Sequence, residues 1–295
     1  MCITFFYIDT KPSPNAPYKL IIAFNRDEFI DRPTQALHHW KDDPNIIGGR
    51  DLSGKGTWLG VNLKTGNVAF LTNLRKPFLK KIFEPAKSTS RGTILFNFLK
   101  TSFYGDRGIS LENCDNEEIE KTIVTYMKEI LKQAKDYEPF NLVLGNLKSM
   151  TFKYMNNRTP EEFPISLEDG PHAMTNCPKN EMWPKSERGL AMFKEIHKEC
   201  TEKGMKQEEL VQKLDEMMKD TTKFSIFDFT ETSIFIKPYK VWFNEARATK
   251  TTSIVLVNDK NEIKFVEHTN NVHKDQLLGN SPVYSTVILD RKVLE

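Results

Sequence analysis

Short β-branched and aromatic runs stand at both ends of the chain, with segments of helical periodicity between them, and this order constrains the fold more than any other feature of the sequence. Cys2 to Ile8 and Tyr18 to Phe24 flank a turn-rich stretch holding Pro12, Pro14, Asn15 and Pro17, and read as a β-hairpin. Gly56 to Asn62 and Asn67 to Asn73 form a second strand pair around Lys64-Thr65-Gly66; Phe140 to Leu147 and Thr151 to Met155 form a third. Strands return at Ser253 to Asn258 and Glu262 to His268. The pattern predicts an α+β chain of two mainly antiparallel sheets flanked by helices.

The clearest helical signal carries Ile119, Ile123, Met127, Ile130, Leu131 and Ala134 on one face, and opens with Asp115 followed three residues later by Glu118, a capping-box-like start. Ile94, Phe98 and Leu99 mark a shorter helix. Leu190, Phe193, Ile196 and Cys200, then Leu210, Val211, Leu214, Met217 and Met218, predict an adjacent helix pair. No linker, repeat or composition shift interrupts the 295 residues, so the sequence reads as one domain over 1–295.

The 42 Lys and Arg residues nearly balance the 40 Asp and Glu residues, so no broad positive field is available to hold nucleic acid. Cys2, Cys114, Cys177 and Cys200 are widely spaced, which suggests neither a disulfide framework nor a zinc site and suits a reducing compartment. His38, His39, His197, His268 and His273 show no metal-ligand spacing, and no phosphate-cradling GxxxxGK[ST] sequence is present. No export signal is visible and no apolar run reaches the roughly 20 residues that span a bilayer, so membrane contact is expected to be peripheral at most.

Methionine before a small residue is normally trimmed, which would leave Cys2 with a free α-amine able to act as base for its own thiol. Asn25-Arg26-Asp27-Glu28 follows the apolar run Leu20 to Phe24 and brings polar groups to the end of the hairpin near Cys2. An arginine there could depress the thiol pKa, and a carboxylate could orient the amine. Taken alone, a buried cysteine heading a strand and a solvated Arg/Asp turn explain the same residues.

Met-Cys-Ile at the start, Asn25-Arg26-Asp27-Glu28-Phe29, Arg32-Pro33, Gly56-Thr57-Trp58-Leu59-Gly60, Leu71-Thr72-Asn73, Ser90-Arg91-Gly92, Phe140-Asn141-Leu142 and Ser253-Ile254-Val255-Leu256-Val257 together resemble the NRDE-motif family over nearly the whole chain. More distantly, the layout is similar to cysteine N-terminal-nucleophile (Ntn) hydrolases, which implies an αββα sandwich. That likeness implies a catalytic set of Cys2, Arg26, Asp27, Asn73 and Asn176, the two asparagines serving as oxyanion donors for hydrolysis of an acyl amide or lipid-like substrate. Two features depart from the amidases: Arg26 and Asp27 are adjacent rather than three residues apart, and Lys250 stands where a late arginine is expected.

The NRDE resemblance implies first a role in intracellular haem trafficking or in lipid homeostasis, in a cytoplasmic protein associated with mitochondria or Golgi, with the N-terminal-cysteine amidohydrolase as the alternative. Haem is then the expected ligand, with Cys177 of the Cys177-Pro178 pair and His172 as candidate iron ligands, Trp58 as pocket lining and Lys250 among the cofactor-binding residues. A weakly ligated haem could instead dock in an apolar cleft, its propionates on Lys179 or Lys185. Haem donor or acceptor proteins would be the partners.

Overall fold

The computed structural model describes residues 2–75, 89–159, 164–179, 181–224, 233–240, 245–271 and 283–294. Met1 and His273 lie outside the described residues. Contacts divide the chain into two interleaved units, one from Met1–Arg32 and Asp169–Asp290, the other from Pro33–Glu168 and Arg291–Glu295. Each unit carries one antiparallel sheet and its own helices, as expected for an α+β chain.

The sheet of the first unit is built on β1 (Cys2–Ile8) and β2 (Tyr18–Phe29), the predicted hairpin, with β10 (Gly170–Met174) outside β1. On the other side β2 pairs with β12 (Ala246–Asn258), followed by β13 (Glu262–Asn271) and β14 (Val283–Lys292); the short β11 (Tyr239–Lys240) also pairs with β12. Two strands run further than the sequence pattern indicates. The polar Asn25-Arg26-Asp27-Glu28 stretch is the second half of β2 rather than a turn after it, and β12 starts seven residues before Ser253. In both cases pairing with a neighbour along the whole length satisfies the backbone and overrides the local loss of hydrophobicity.

Alternation assigns the two faces of this sheet. Ile3, Phe5, Ile21, Ala23, Ile254, Leu256 and Val266 form one core with α3 (Pro184–Lys203) and α4 (Gln207–Met218), which supply Phe193, Cys200, Leu210, Leu214, Met217 and Met218. Each such side chain contributes roughly 1.5–3 kcal/mol by leaving water. Pro184 opens α3, where its missing N–H costs nothing, and Gly204 closes it in the left-handed conformation at φ 62°. Gly189 on α3 gives the Phe5 ring its place: a Cβ there would stand 2.1 Å from Phe5 Cζ.

The second unit's sheet runs β3 (Thr34–His39), β4 (Ile46–Asp51), β5 (Leu59–Asn62), β6 (Asn67–Asn73), β7 (Phe140–Asn146), β8 (Thr151–Asn156) and β9 (Ile165–Ser166) in order. Its core joins Ala69, Leu71, Leu142 and Leu144 to Ile94, Leu95, Phe98 and Leu99 of α1 (Gly92–Leu99) and to Ile119, Ile123 and Met127 of α2 (Asn116–Lys132). The Asp115 side chain accepts from Glu118 N at 2.8 Å, the predicted N-cap, worth about 1 kcal/mol. Two of the sequence motifs meet here. The Gly56 and Gly92 backbones are so close that a Cβ on Gly56 would lie 2.1 Å from Gly92 C, and Thr57 N donates to Gly92 O at 3.4 Å. Among the described residues no helix is long and apolar enough to cross a membrane.

Candidate active site around Cys2

Cys2 heads β1 and is the register partner of Arg26 on β2, so the two side chains share the sheet face opposite the one packed by α3 and α4. Both are buried, at 5% and 4% exposure. Asp27, next along β2, projects to the other face; it is its backbone N–H that donates to the Cys2 sulfur. The adjacent Arg26-Asp27 pair therefore reaches Cys2 from one strand in two ways, the arginine through its side chain's field and the aspartate through its main chain. Burial raises the Cys2 thiol above its ordinary pKa, and the Asp27 carboxylate adds to the rise. The amino-terminal charge, the Asp27 N–H and Arg26 act in the opposite direction, and the net shift is upward.

The Asp27 carboxylate is held from behind. Thr249 on β12 is its register partner, and the Thr249 hydroxyl donates to Asp27 Oδ1 at 2.6 Å. Glu28 stays ionised more easily than a free glutamate: burial pushes its carboxyl up, but the amino-terminal charge, the Phe29 N–H at 2.9 Å, Arg26 and Arg32 together bring it below the usual value. Asn25 faces the helices, donating to Met218 O at 2.8 Å and Ile234 O at 3.0 Å. Its role is thus to stitch the sheet to its covering layer.

From the other side of β1, the Thr175 hydroxyl donates to Cys2 O at 3.0 Å, which brings the segment holding Asn176 to the head of the strand; Asn176 is 1% exposed. The first unit thus gathers Cys2, Arg26, Asp27 and Asn176. Asn73, which closes β6, and the buried Trp58 ahead of β5 belong to the second unit. The Lys250 ammonium donates to Ile30 O at 2.8 Å and Arg32 O at 2.7 Å, tying down the chain just after β2. His172 stacks on Phe6 at 4.9 Å between centroids. The Cys177 thiol donates to Glu181 O at 3.2 Å, and burial first, then Glu181, push its pKa up to about 11.

Residues 1–271 match the family described as Transport and Golgi organisation 2. The chain belongs to the Transport and Golgi organisation 2 family. It is 28% identical over 289 residues to the Transport and Golgi organization protein 2 of Drosophila melanogaster, covering 91% of this chain and 92% of the relative. It is 32% identical over 201 residues to the Homo sapiens homolog and 30% over 210 residues to the Bos taurus homolog, covering 66% and 69% of this chain. These alignments span just under two thirds of the mammalian relatives' length, 64% and 66%.

The sequence offers no direct signal for two residues of this candidate site, Thr175 and Thr249. Thr249 lies within β12, where strand propensity alone accounts for it, and Thr175 directly follows the end of β10. Among the described residues no group of three or more His, Cys, Asp or Glu side chains could hold a metal ion.

Proposed function

We propose that this chain is an N-terminal-cysteine hydrolase of acyl amides, working once Met1 has been removed. The observation that carries the reading is the Asp27 backbone N–H on the Cys2 sulfur, beside the register-paired Arg26. The Asp27 main chain and the Arg26 guanidinium act to lower the Cys2 pKa against the larger rise from burial, so the attacking thiolate forms by transfer of the thiol proton to the Cys2 α-amine. In the proposed reaction the Cys2 thiolate forms a C–S bond to the substrate carbonyl carbon, and the carbonyl π pair moves to oxygen. Asn176 would donate to that oxyanion. Collapse breaks the C–N bond, the amine leaves with the proton of the Cys2 α-ammonium, and water then hydrolyses the thioester to release the acid and restore the thiol. The test is hydrolysis of a panel of N-acyl amides by protein whose intact mass proves Met1 absent. Turnover that is lost in Cys2→Ala supports the reading; equal turnover by wild type and Cys2→Ala, or none by either, overturns it.

A second reading, a haem-binding and haem-trafficking factor, is favoured by one observation: burial leaves the Cys2 thiol protonated at rest, which suits a site that holds a ligand without turning it over. The donor set argues against axial ligation by Cys177, whose thiol is spoken for by the Glu181 carbonyl and resists deprotonation. Haem would then be cargo, docked through its apolar macrocycle with propionates on Lys179 or Lys185, and exchanged with donor or acceptor proteins in the cytoplasm near Golgi or mitochondria. A Soret shift on titration, with transfer to an apo-acceptor, supports this reading, and a flat titration removes it.

A further inference from the structure

β12 carries one more residue than β2 across the site. Thr249 pairs with Asp27 and Thr251 with Arg26, so Lys250 between them is the extra residue of a β-bulge. Bulges re-aim side chains, and this one is pinned at both ends: the Lys250 ammonium on the carbonyls of Ile30 and Arg32, and the Thr249 hydroxyl on Asp27 Oδ1. Thr249 is itself fixed on its far side. Its N–H donates to Ile236 O at 2.9 Å, its hydroxyl oxygen accepts from Ile236 N at 2.8 Å, and its carbonyl accepts from Asn270 Nδ2 at 3.2 Å. With the backbone amide of Ile236 entering the hydroxyl oxygen, the hydroxyl proton has one place to go, the Asp27 carboxylate.

We propose that Thr249 is a positioning residue of the Cys2 site, acting through Asp27. The pleat places the Asp27 side chain on the helix-facing side of the sheet, and there the hydroxyl absorbs part of the carboxylate's charge, which limits the rise that this charge imposes on the Cys2 thiol. The charged groups acting on Cys2 are Arg26 and Asp27 of β2 and the chain's amino terminus, and Thr249 governs the one of them whose sign opposes reactivity. The inference rests on Cys2 as the reactive thiol but does not require turnover.

The experiment is iodoacetamide labelling of the full chain between pH 6 and 10.5, with Cys2 followed by peptide mass mapping, in wild type, Thr249→Val, Thr249→Ser, Asp27→Asn and the Asp27→Asn/Thr249→Val double variant. Thr249→Val keeps the side-chain shape and removes the donor, so the Cys2 midpoint should rise by at least half a pH unit, with several-fold slower labelling at pH 8. Thr249→Ser should restore the wild-type profile, and in the Asp27→Asn background Thr249→Val should have no further effect. Superimposable wild-type and Thr249→Val profiles, or a Thr249→Val shift that persists beside Asp27→Asn, overturns the proposal. Should Thr249→Val not fold, Asp27→Asn alone decides: its midpoint must fall, and an unmoved midpoint breaks the link. A protein that shows these shifts yet hydrolyses no amide would sink the hydrolase reading and leave the role of Thr249 standing.

Discussion

Asn25 on β2 and Thr252 on β12 are register partners, and the Thr252 hydroxyl donates to Asn25 Oδ1 at 2.7 Å while Asn25 Nδ2 is shared between the carbonyls of Met218 and Ile234. One fully buried amide thereby joins two strands, the end of α4 and the segment around Ile234. Replacing it by alanine strands a hydroxyl and two carbonyls out of reach of water. Asn25→Ala should cost about 3 kcal/mol in urea unfolding, and Thr252→Val, which removes one of these bonds, about 1 kcal/mol.

Gly56 and Gly92 are two backbones in contact, not a backbone against a movable side chain, so the clash of an added methyl cannot be relieved by a rotamer change. Gly56→Ala should destabilise the protein by about 3 kcal/mol or more, read as a lowered thermal midpoint. Gly105→Ala, where an added Cβ meets nothing within 4 Å, is the control and should leave the midpoint nearly unchanged.

Lys250 makes two charge-assisted bonds to main-chain carbonyls. Lys250→Met keeps the aliphatic stem and loses both, and should lower stability by roughly 2 kcal/mol in denaturant titration. If instead this lysine served a ligand's carboxylate, the variant would keep its stability and lose only binding, so a full-stability Lys250→Met would contradict the brace.

Cys177 sets a pH dependence of known sign. The folded protein keeps the Cys177 proton up to about 11, whereas a cysteine with its ordinary value of 9.0 in the unfolded chain gives it up earlier. The folded state then binds more protons between those limits, so stability is fully present below pH 9 and falls as pH rises toward 11. The loss should be on the order of 1 to 2 kcal/mol by pH 10.5. Cys177→Ser, which can still donate to Glu181 O, should flatten that part of the profile.

Periodicity made most of the framework legible. The first hairpin, the helix capped by Asp115, the helix pair α3 and α4 and the strand pair β7 and β8 all follow from apolar spacing, because each buries one face against a core of its own unit. β3, β4, β10 and β14 were not legible. They mix His, Gly, Pro and charged residues with apolar ones, and exist because a neighbouring strand supplies the hydrogen bonds. The same holds at the site. Cys2 and Arg26 could be placed together from a hairpin alone, but the reach of Thr249 to Asp27 joins positions 222 apart in the chain and depends on a one-residue bulge that leaves no mark in composition.

The interleaving of the units has a consequence for synthesis. β2 emerges from the ribosome with its apolar face and its Asn25, Arg26 and Asp27, but its partner β12 begins only at Ala246, after the whole second unit's sheet has been made. Loops of that length are slow to close, and a long strand waiting with one open edge is a template for wrong pairing. The nascent chain can complete Pro33–Glu168 first, leaving β1 and β2 as an unfinished hairpin until translation is nearly over. Truncations that end before β12 should therefore leave the Pro33–Glu168 part of the second unit, without its Arg291–Glu295 segment, carrying an aggregation-prone amino-terminal hairpin, and the Cys2 site is among the last parts of the molecule to come into being.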